Sequence, residues 1–137
     1  MSQEKVDADF EVIRRAWRAS GQKDLAAFER DLDPDIVTIP FGAAMEGKSY
    51  RGVDAVVGWL RDEIWANWEH FDTVPEEFTR VGQRILVTGR WHARGKASGV
   101  ELDISATWVI EVRDGKITYW RTYTDRDQAL RDIGLEA

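Results

Sequence analysis

Between Val100 and Val112 every even-numbered residue is apolar: Val100, Leu102, Ile104, Ala106, Trp108, Ile110 and Val112. Glu101, Asp103, Ser105, Thr107 and Glu111 stand at odd positions between them. Successive side chains of a strand point to opposite faces, so this run reads as a strand with one buried and one wet face. A slip of one residue would invert every side chain, so the register is tightly specified. The run 84–94 behaves alike, with Ile85, Val87, Gly89, Trp91 and Ala93 on one face and Arg84, Leu86, Thr88, Arg90, His92 and Arg94 on the other. "GKASG" (95–99) joins the two as a hairpin turn, which sets Arg94 opposite Glu101 and His92 opposite Asp103. Trp91 and Trp108 then point toward whatever covers the apolar face, and His92 points away.

The rest of the chain supplies the cover. Phe10, Ile13 and Trp17 mark one face of a helix over about Val6–Ser20, ended by Gly21. Leu25, Phe28 and Leu32 predict a short second helix starting near Asp24, broken by "DPD" (33–35). "IVTIP" (36–40) reads as a strand ending at Pro40, and "FGAAMEGKSYRG" as a loop or short hairpin. Val53, Val57, Leu60, Ile64 and Trp68 predict a third helix of about four turns. Trp59 and Trp65 flank that stripe, as part-exposed aromatics or as a pocket rim or subunit contact. From "EEFTRV" onward the pattern is strand and turn, until "RDQALRDIGL" closes as a short helix. Helices first and a meander after is the order of an α+β fold, with helices packed on one face of a curved antiparallel sheet.

The length of 137 residues suits a single domain over 1–137. A net charge of −6 and the lack of a basic run argue against nucleic acid and anionic membranes as partners. The chain has no cysteine, which removes disulfides and thiolate chemistry. The polar start "MSQEKVDADF" and the absence of a long apolar run lead to the expectation of a soluble, cytoplasmic protein. His70 and His92 are far apart, and no phosphate-binding loop or nucleophile elbow occurs, so neither a metal nor another cofactor is expected. His70, in "WANWEHFD", is expected at a helix end.

Two residues are candidates for acid–base work. His92 opposite Asp103 forms either one rung of a solvated charge ladder or a His–Asp dyad with the imidazole as base. Pairing around Gly82-Gln83 brings Glu76 opposite Gly89, where it is either a rim or surface residue or an inward carboxylate whose burial would raise its pKa and suit it to general acid or base chemistry. The seven tryptophans exceed ordinary usage several-fold, and large aromatics serve cores, interfaces and ligand pockets.

"YRGVDAVVGWL", the strands after it, "DGKITYWRTYTD" and "ALRDIGL" follow three helices in an order that resembles the SnoaL-like branch of the nuclear transport factor two-like superfamily. The resemblance spans nearly the whole chain. It implies a cone: a strongly curved antiparallel sheet wrapped around three N-terminal helices, with a pocket inside and homodimers common. Activities in the superfamily include ketosteroid isomerisation, polyketide cyclisation, epoxide hydrolysis and dehydration, and some members only bind, so fold alone does not settle function. The ketosteroid isomerase base falls on Ile39 before Pro40, the oxyanion tyrosine near Ala16, and the protonated aspartate near Trp108 or Thr107. None of these can do that chemistry. The limonene-type epoxide hydrolase aspartate of the last strand falls on Thr122, and its Arg-x-Asp pair on Arg90/His92 or, as parity favours, on Gly89/Trp91.

What remains is an apolar interior. Trp91, Trp108 and Trp120 converge there, with Trp17 from helix one, Thr122 on the last strand and Thr38 and Ile39 on the first. The first expectation is a pocket for a small apolar or aromatic molecule, with or without metal-free isomerase, cyclase, dehydratase or hydrolase chemistry, in which Thr38 or Thr122 orients the ligand. The second is a non-catalytic interaction or dimerisation domain that uses Thr107, Val109, Tyr119, Arg121 and Tyr123 on the outer sheet face. An open cavity favours the first; a cone filled by its own tryptophans favours the second.

Overall fold

The computed structural model describes residues 3–40 and 48–134, with side chains from residue 8 onward. Helix α1 (Gln3–Gly21) leads into α2 (Leu25–Arg30), β1 (Leu32–Ile39) and the short β2 (Tyr50–Arg51). Helix α3 (Val53–Trp59) continues as a π-helical stretch over Leu60–Trp65. Strands β3 (Trp68–Val81), β4 (Arg84–Gly95), β5 (Glu101–Arg113) and β6 (Lys116–Tyr123) form the meander, and α4 (Arg126–Asp132) ends it. The sheet order is β2-β1-β6-β5-β4-β3. All neighbours are antiparallel except β1 and β6, which run parallel. The curved sheet stays open between its β2 and β3 edges, and α1, α2 and α3 cover its concave face. Most of the expected loop after Pro40, residues 41–47, lies outside the described residues.

The helices dock by the faces that periodicity marked. Ile13, Ala16 and Trp17 of α1 and Phe28 of α2 are buried against Val56, Leu60, Ile85, Val87 and Trp108. Two ion pairs fix α1 in place. Arg15 grips the buried Asp31 with two bonds, Nε to Oδ2 at 2.9 Å and Nη2 to Oδ1 at 2.7 Å. Arg80 of β3 reaches the buried Asp9 at 2.7 Å. Each carboxylate is taken out of water only because a guanidinium replaces its hydration. Helix α2 starts where Asp24 accepts a bond from the Ala27 amide at 3.2 Å.

The β4–β5 register is the one that alternation requires, from Ile85 opposite Ile110 to Arg94 opposite Glu101, with His92 opposite Asp103. In β3–β4 the expected pairing holds from the turn through Phe78 opposite Val87 and Glu77 opposite Thr88. A bulge then inserts Glu76 as the extra residue, and Pro75 faces Gly89. Proline has no N–H to give the ladder, so a bulge is where it is tolerated inside a paired strand. The two backbones are so close there that a Cβ on Gly89 would lie 2.2 Å from the Val74 carbonyl oxygen. Glu76 is therefore an exposed bulge residue and not an inward carboxylate.

Two other expectations are corrected. The third helix does not run to Trp68: the π-helical turn ends at Trp65, and Trp68 opens β3 opposite Gly95. His70 accordingly sits near the start of β3 opposite Arg94, exposed, and not at a helix end. Helix α4, capped by Asp125 through the Asp127 amide at 2.9 Å, lays Ala129 and Leu130 on Leu86, Val109 and Tyr123. The outer-face surface expected for a partner is thus partly occupied: Thr107, Val109 and Tyr123 are buried.

Candidate functional site

Between α1, α3 and the concave sheet lies a cavity of about 830 Å³. Its wall holds six of the seven tryptophans: Trp17, Trp59, Trp68, Trp91, Trp108 and Trp120. Their rings form an unbroken series of contacts. Trp59 stands perpendicular to Trp120 with centroids 6.1 Å apart, and Trp120 meets Trp17 at 6.2 Å. Trp17 leans on Trp108 at 4.8 Å, Trp108 on Trp91 at 6.0 Å, Trp91 on Phe71 at 5.7 Å and Phe71 on Trp68 at 5.7 Å. Tilted and edge-on aromatic pairs are favoured over sandwiches, each worth about 0.5–1.5 kcal/mol beyond burial. Rings braced in this way form a wall instead of collapsing face to face, and the space inside stays open.

The polar groups sit mainly at the exposed rim. The Tyr50 hydroxyl donates to the Glu63 carboxylate at 3.3 Å, and the Asn67 side-chain amide donates to the Glu63 carbonyl at 2.7 Å. Lys48 lines the same opening. Deeper in, Thr122 contributes a hydroxyl group, and the Trp120 Nε1 is buried with no hydrogen-bond partner among the described residues. Among those residues no group of three or more His, Asp or Glu side chains is placed to hold a metal ion.

Of the residues expected in the site, Trp17, Trp91, Trp108, Trp120 and Thr122 meet at this cavity. Glu76 and His92 do not. His92 is on the outer face with its Nδ1 3.6 Å from Asp103, whose Oδ1 is already engaged by Arg90 Nε at 2.6 Å. That hydrogen bond from Arg90 holds the Asp103 carboxyl below its usual pKa. Asp103 is thus paired to a permanent cation, and the neighbourhood is a charge ladder, not a dyad. Thr38 is inward but spent: its hydroxyl donates to the Trp120 carbonyl at 3.0 Å, tying β1 to β6. Ile39, opposite Arg121, falls on the other face by alternation and does not line the cavity. Trp91 and Gly89, the pair that parity turned inward, leave no Arg-x-Asp inside.

Several lining residues escaped sequence reasoning. Trp68, Phe71 and Thr73 were hidden by an over-long helix, although "FDT" alternates as a strand should. Leu102 and Ile104 belong to the inward set of β5 but lie at its far end, where the cavity opens. Trp65 is not part of the wall; its Nε1 donates to the Ser20 carbonyl at 3.1 Å and ties the π-helical turn to the end of α1.

A curved sheet folded over helices around an internal cavity defines the nuclear transport factor two-like class. Residues 13–120 match the SnoaL-like domain, and the chain belongs to that family. The uncharacterised protein Rv0034 of Mycobacterium tuberculosis is 30% identical over 114 residues, 82% of this chain and 85% of its own. An NTF2-like protein of unknown function from Burkholderia pseudomallei superposes with a TM-score of 0.74 at 21% identity, covering 98% of this chain and 99% of that one. RV0760c from Mycobacterium tuberculosis, solved in complex with estradiol-17beta-hemisuccinate, has a TM-score of 0.72 at 20% identity over 88% of this chain and 95% of its own. These structures share the fold. No described helix is long and apolar enough to cross a membrane.

Proposed function

We propose that the protein binds a small, planar, apolar or aromatic molecule in the tryptophan-walled cavity. The observation that carries this reading is that about 830 Å³ stays open although six tryptophans surround it. That volume lies within the range of about 300–1,000 Å³ usual for small-molecule sites, which are mostly apolar with a few polar groups. The steroid ester bound by RV0760c, a protein of the same fold, supports a ligand of this kind. Acid–base turnover of such a ligand would fall to Lys48, Tyr50 and Glu63, the ionisable side chains that line the cavity among the described residues.

A titration of intrinsic tryptophan emission with a panel of steroids, quinones and polycyclic hydrocarbons tests this. Saturable quenching or a spectral shift is expected with at least one class, and weaker binding is expected in Thr122→Trp, whose ring takes up part of the cavity. An unchanged spectrum across the panel contradicts the reading.

A further inference from the structure

We infer that the hydroxyl of Thr122 is the internal polar contact of the cavity, and that it selects a planar apolar ligand carrying an uncharged oxygen on its ring system, as a ring ketone does. The inference rests on the cavity being a ligand site and names the chemistry that the site prefers.

Lys48, Glu63, Asn67 and Thr124 line the cavity from exposed positions. Thr122 lines it from within, only 6% exposed. Register places it there. Thr122 pairs with Trp108 across β5–β6 and stands two residues from Trp120, so alternation puts all three on the concave face. Three buried polar groups of this region meet different fates. Thr38 spends its hydroxyl on the Trp120 carbonyl at 3.0 Å. The Trp120 Nε1 has no partner among the described residues and is sealed inside the wall. The Thr122 hydroxyl makes no hydrogen bond to a described residue either, but it is not sealed. It keeps open surface, and in a buried residue of the wall that surface faces the cavity. No side chain has to move for a ligand to reach it.

Packing alone does not account for a threonine at this position. Valine has the same shape, suits a strand as well, and would bring no hydroxyl among the tryptophans. Buried polar groups nearly always find a partner, so the hydroxyl calls for one that enters the cavity. A purely apolar molecule that fills the space drives water from beside the hydroxyl and leaves it unpaired, a loss larger than a made hydrogen bond is worth. A molecule with an oxygen at that point restores the bond. The threonine hydroxyl donates as well as accepts, so a ketone oxygen is bound through donation. The hydroxyl is uncharged, as are the Trp108 and Trp120 rings beside it, which matches an uncharged oxygen set directly on a flat ring system.

A matched pair of probes, 9-fluorenone and fluorene, differs at one position, a carbonyl in place of a methylene. Dissociation constants for both are measured on the wild type, on Thr122→Val, which keeps the shape and removes the hydroxyl, and on Thr122→Ser, which keeps the hydroxyl. Thr122→Val is expected to weaken fluorenone about fivefold and to leave fluorene within about twofold. Thr122→Ser should retain the preference for fluorenone. The infrared carbonyl stretch of fluorenone bound to the wild type should lie below its value in a hydrocarbon solvent, and should return toward that value on Thr122→Val. The wild-type stretch stands as a test even if a variant fails to fold. Equal losses for both probes, no loss of fluorenone on Thr122→Val, or a hydrocarbon-like stretch on the wild type overturns the inference while leaving the ligand cavity in place. Failure of both probes to bind the wild type overturns the ligand reading and this inference together.

Discussion

Strands β4 and β5 present two faces made from alternate residues of the same segments, and the two faces solve opposite problems. On the concave side Trp91 and Trp108 are spread across a cavity, braced by Trp17 and Phe71. On the convex side the same strands are closed. Arg90, His92 and Asp103 form a charge cluster toward one end, and Arg94 reaches Glu101 at 3.6 Å beside it. At the other end Leu86 and Val109 lie under α4. Large rigid rings bridge space that small aliphatics would have to fill, so the concave face stays open. Short apolar residues under a two-turn helix leave nothing open. The residues marked in the sequence as chemically suggestive, His92 above all, are on the closed face. The face able to receive a ligand is nearly free of charge until its rim.

Substitutions on each side should break this contrast to different degrees. The largest effect is expected for Trp108→Ala, which removes a side chain only 1% exposed that touches both Trp17 and Trp91. Urea denaturation should show a loss of about 3–5 kcal/mol. Next comes Gly89→Ala, whose methyl would meet the Val74 carbonyl at 2.2 Å. It should cost about 1–3 kcal/mol as the bulge is forced away, and it should also perturb the β3 side of the cavity. Adding Pro75→Ala is expected to relieve none of that clash, because the contact is with main chain.

A smaller effect is expected on the convex side. The Tyr123 hydroxyl donates to Asp132 Oδ2 at 2.6 Å and holds α4 to the sheet. Burial, and then that hydrogen bond, push its pKa above the usual tyrosine range. A folded-state pKa above the unfolded value contributes stability that is fully present below the unfolded pKa of about 10 and lost as pH rises beyond it. Tyr123→Phe should therefore cost about 1 kcal/mol near neutral pH, and the gap between wild type and variant in urea midpoints should hold up to about pH 10 and close as the pH rises above it toward the raised folded-state value. A gap that is constant with pH would show that the hydroxyl is not the titrating group. The smallest effect is expected for His92→Ala: stability within about 0.5 kcal/mol and unchanged ligand affinity. A large loss of affinity there would return His92 to the site.

The same contrast shows which parts of the fold and site were legible in the sequence. Alternation is a strong signal where one face is buried and the other wet, so the β4–β5 register and the inward turn of Trp91 and Trp108 could be read directly. Three kinds of information could not. Pro75 shows that a strand is interrupted but not on which side the extra residue falls, and one bulge moved Glu76 from the interior to solvent. Trp68 stands four residues after Ile64 and so continued a helical stripe into what is a strand; the apolar spacing crosses the boundary, and the π-helical turn before it carries no marker of its own. Thr38 was placed on the correct face, but whether its hydroxyl meets a ligand or the Trp120 carbonyl depends on a β1–β6 pairing between segments more than eighty residues apart. Trp59 likewise gains its role only from the Trp120 ring it meets.

The central claim is that the concave face receives a ligand and the convex face does not. The indole resonances test it within one spectrum, because six tryptophans line the cavity and Trp65, bonded to Ser20, does not. On addition of 9-fluorenone the signals of the lining indoles should move together and saturate, while that of Trp65 and the amides of Asp103 and Ser105 on the outer face stay in place. Movement confined to Trp65 or to the outer-face amides, or a spectrum unchanged at saturating probe, would contradict the account.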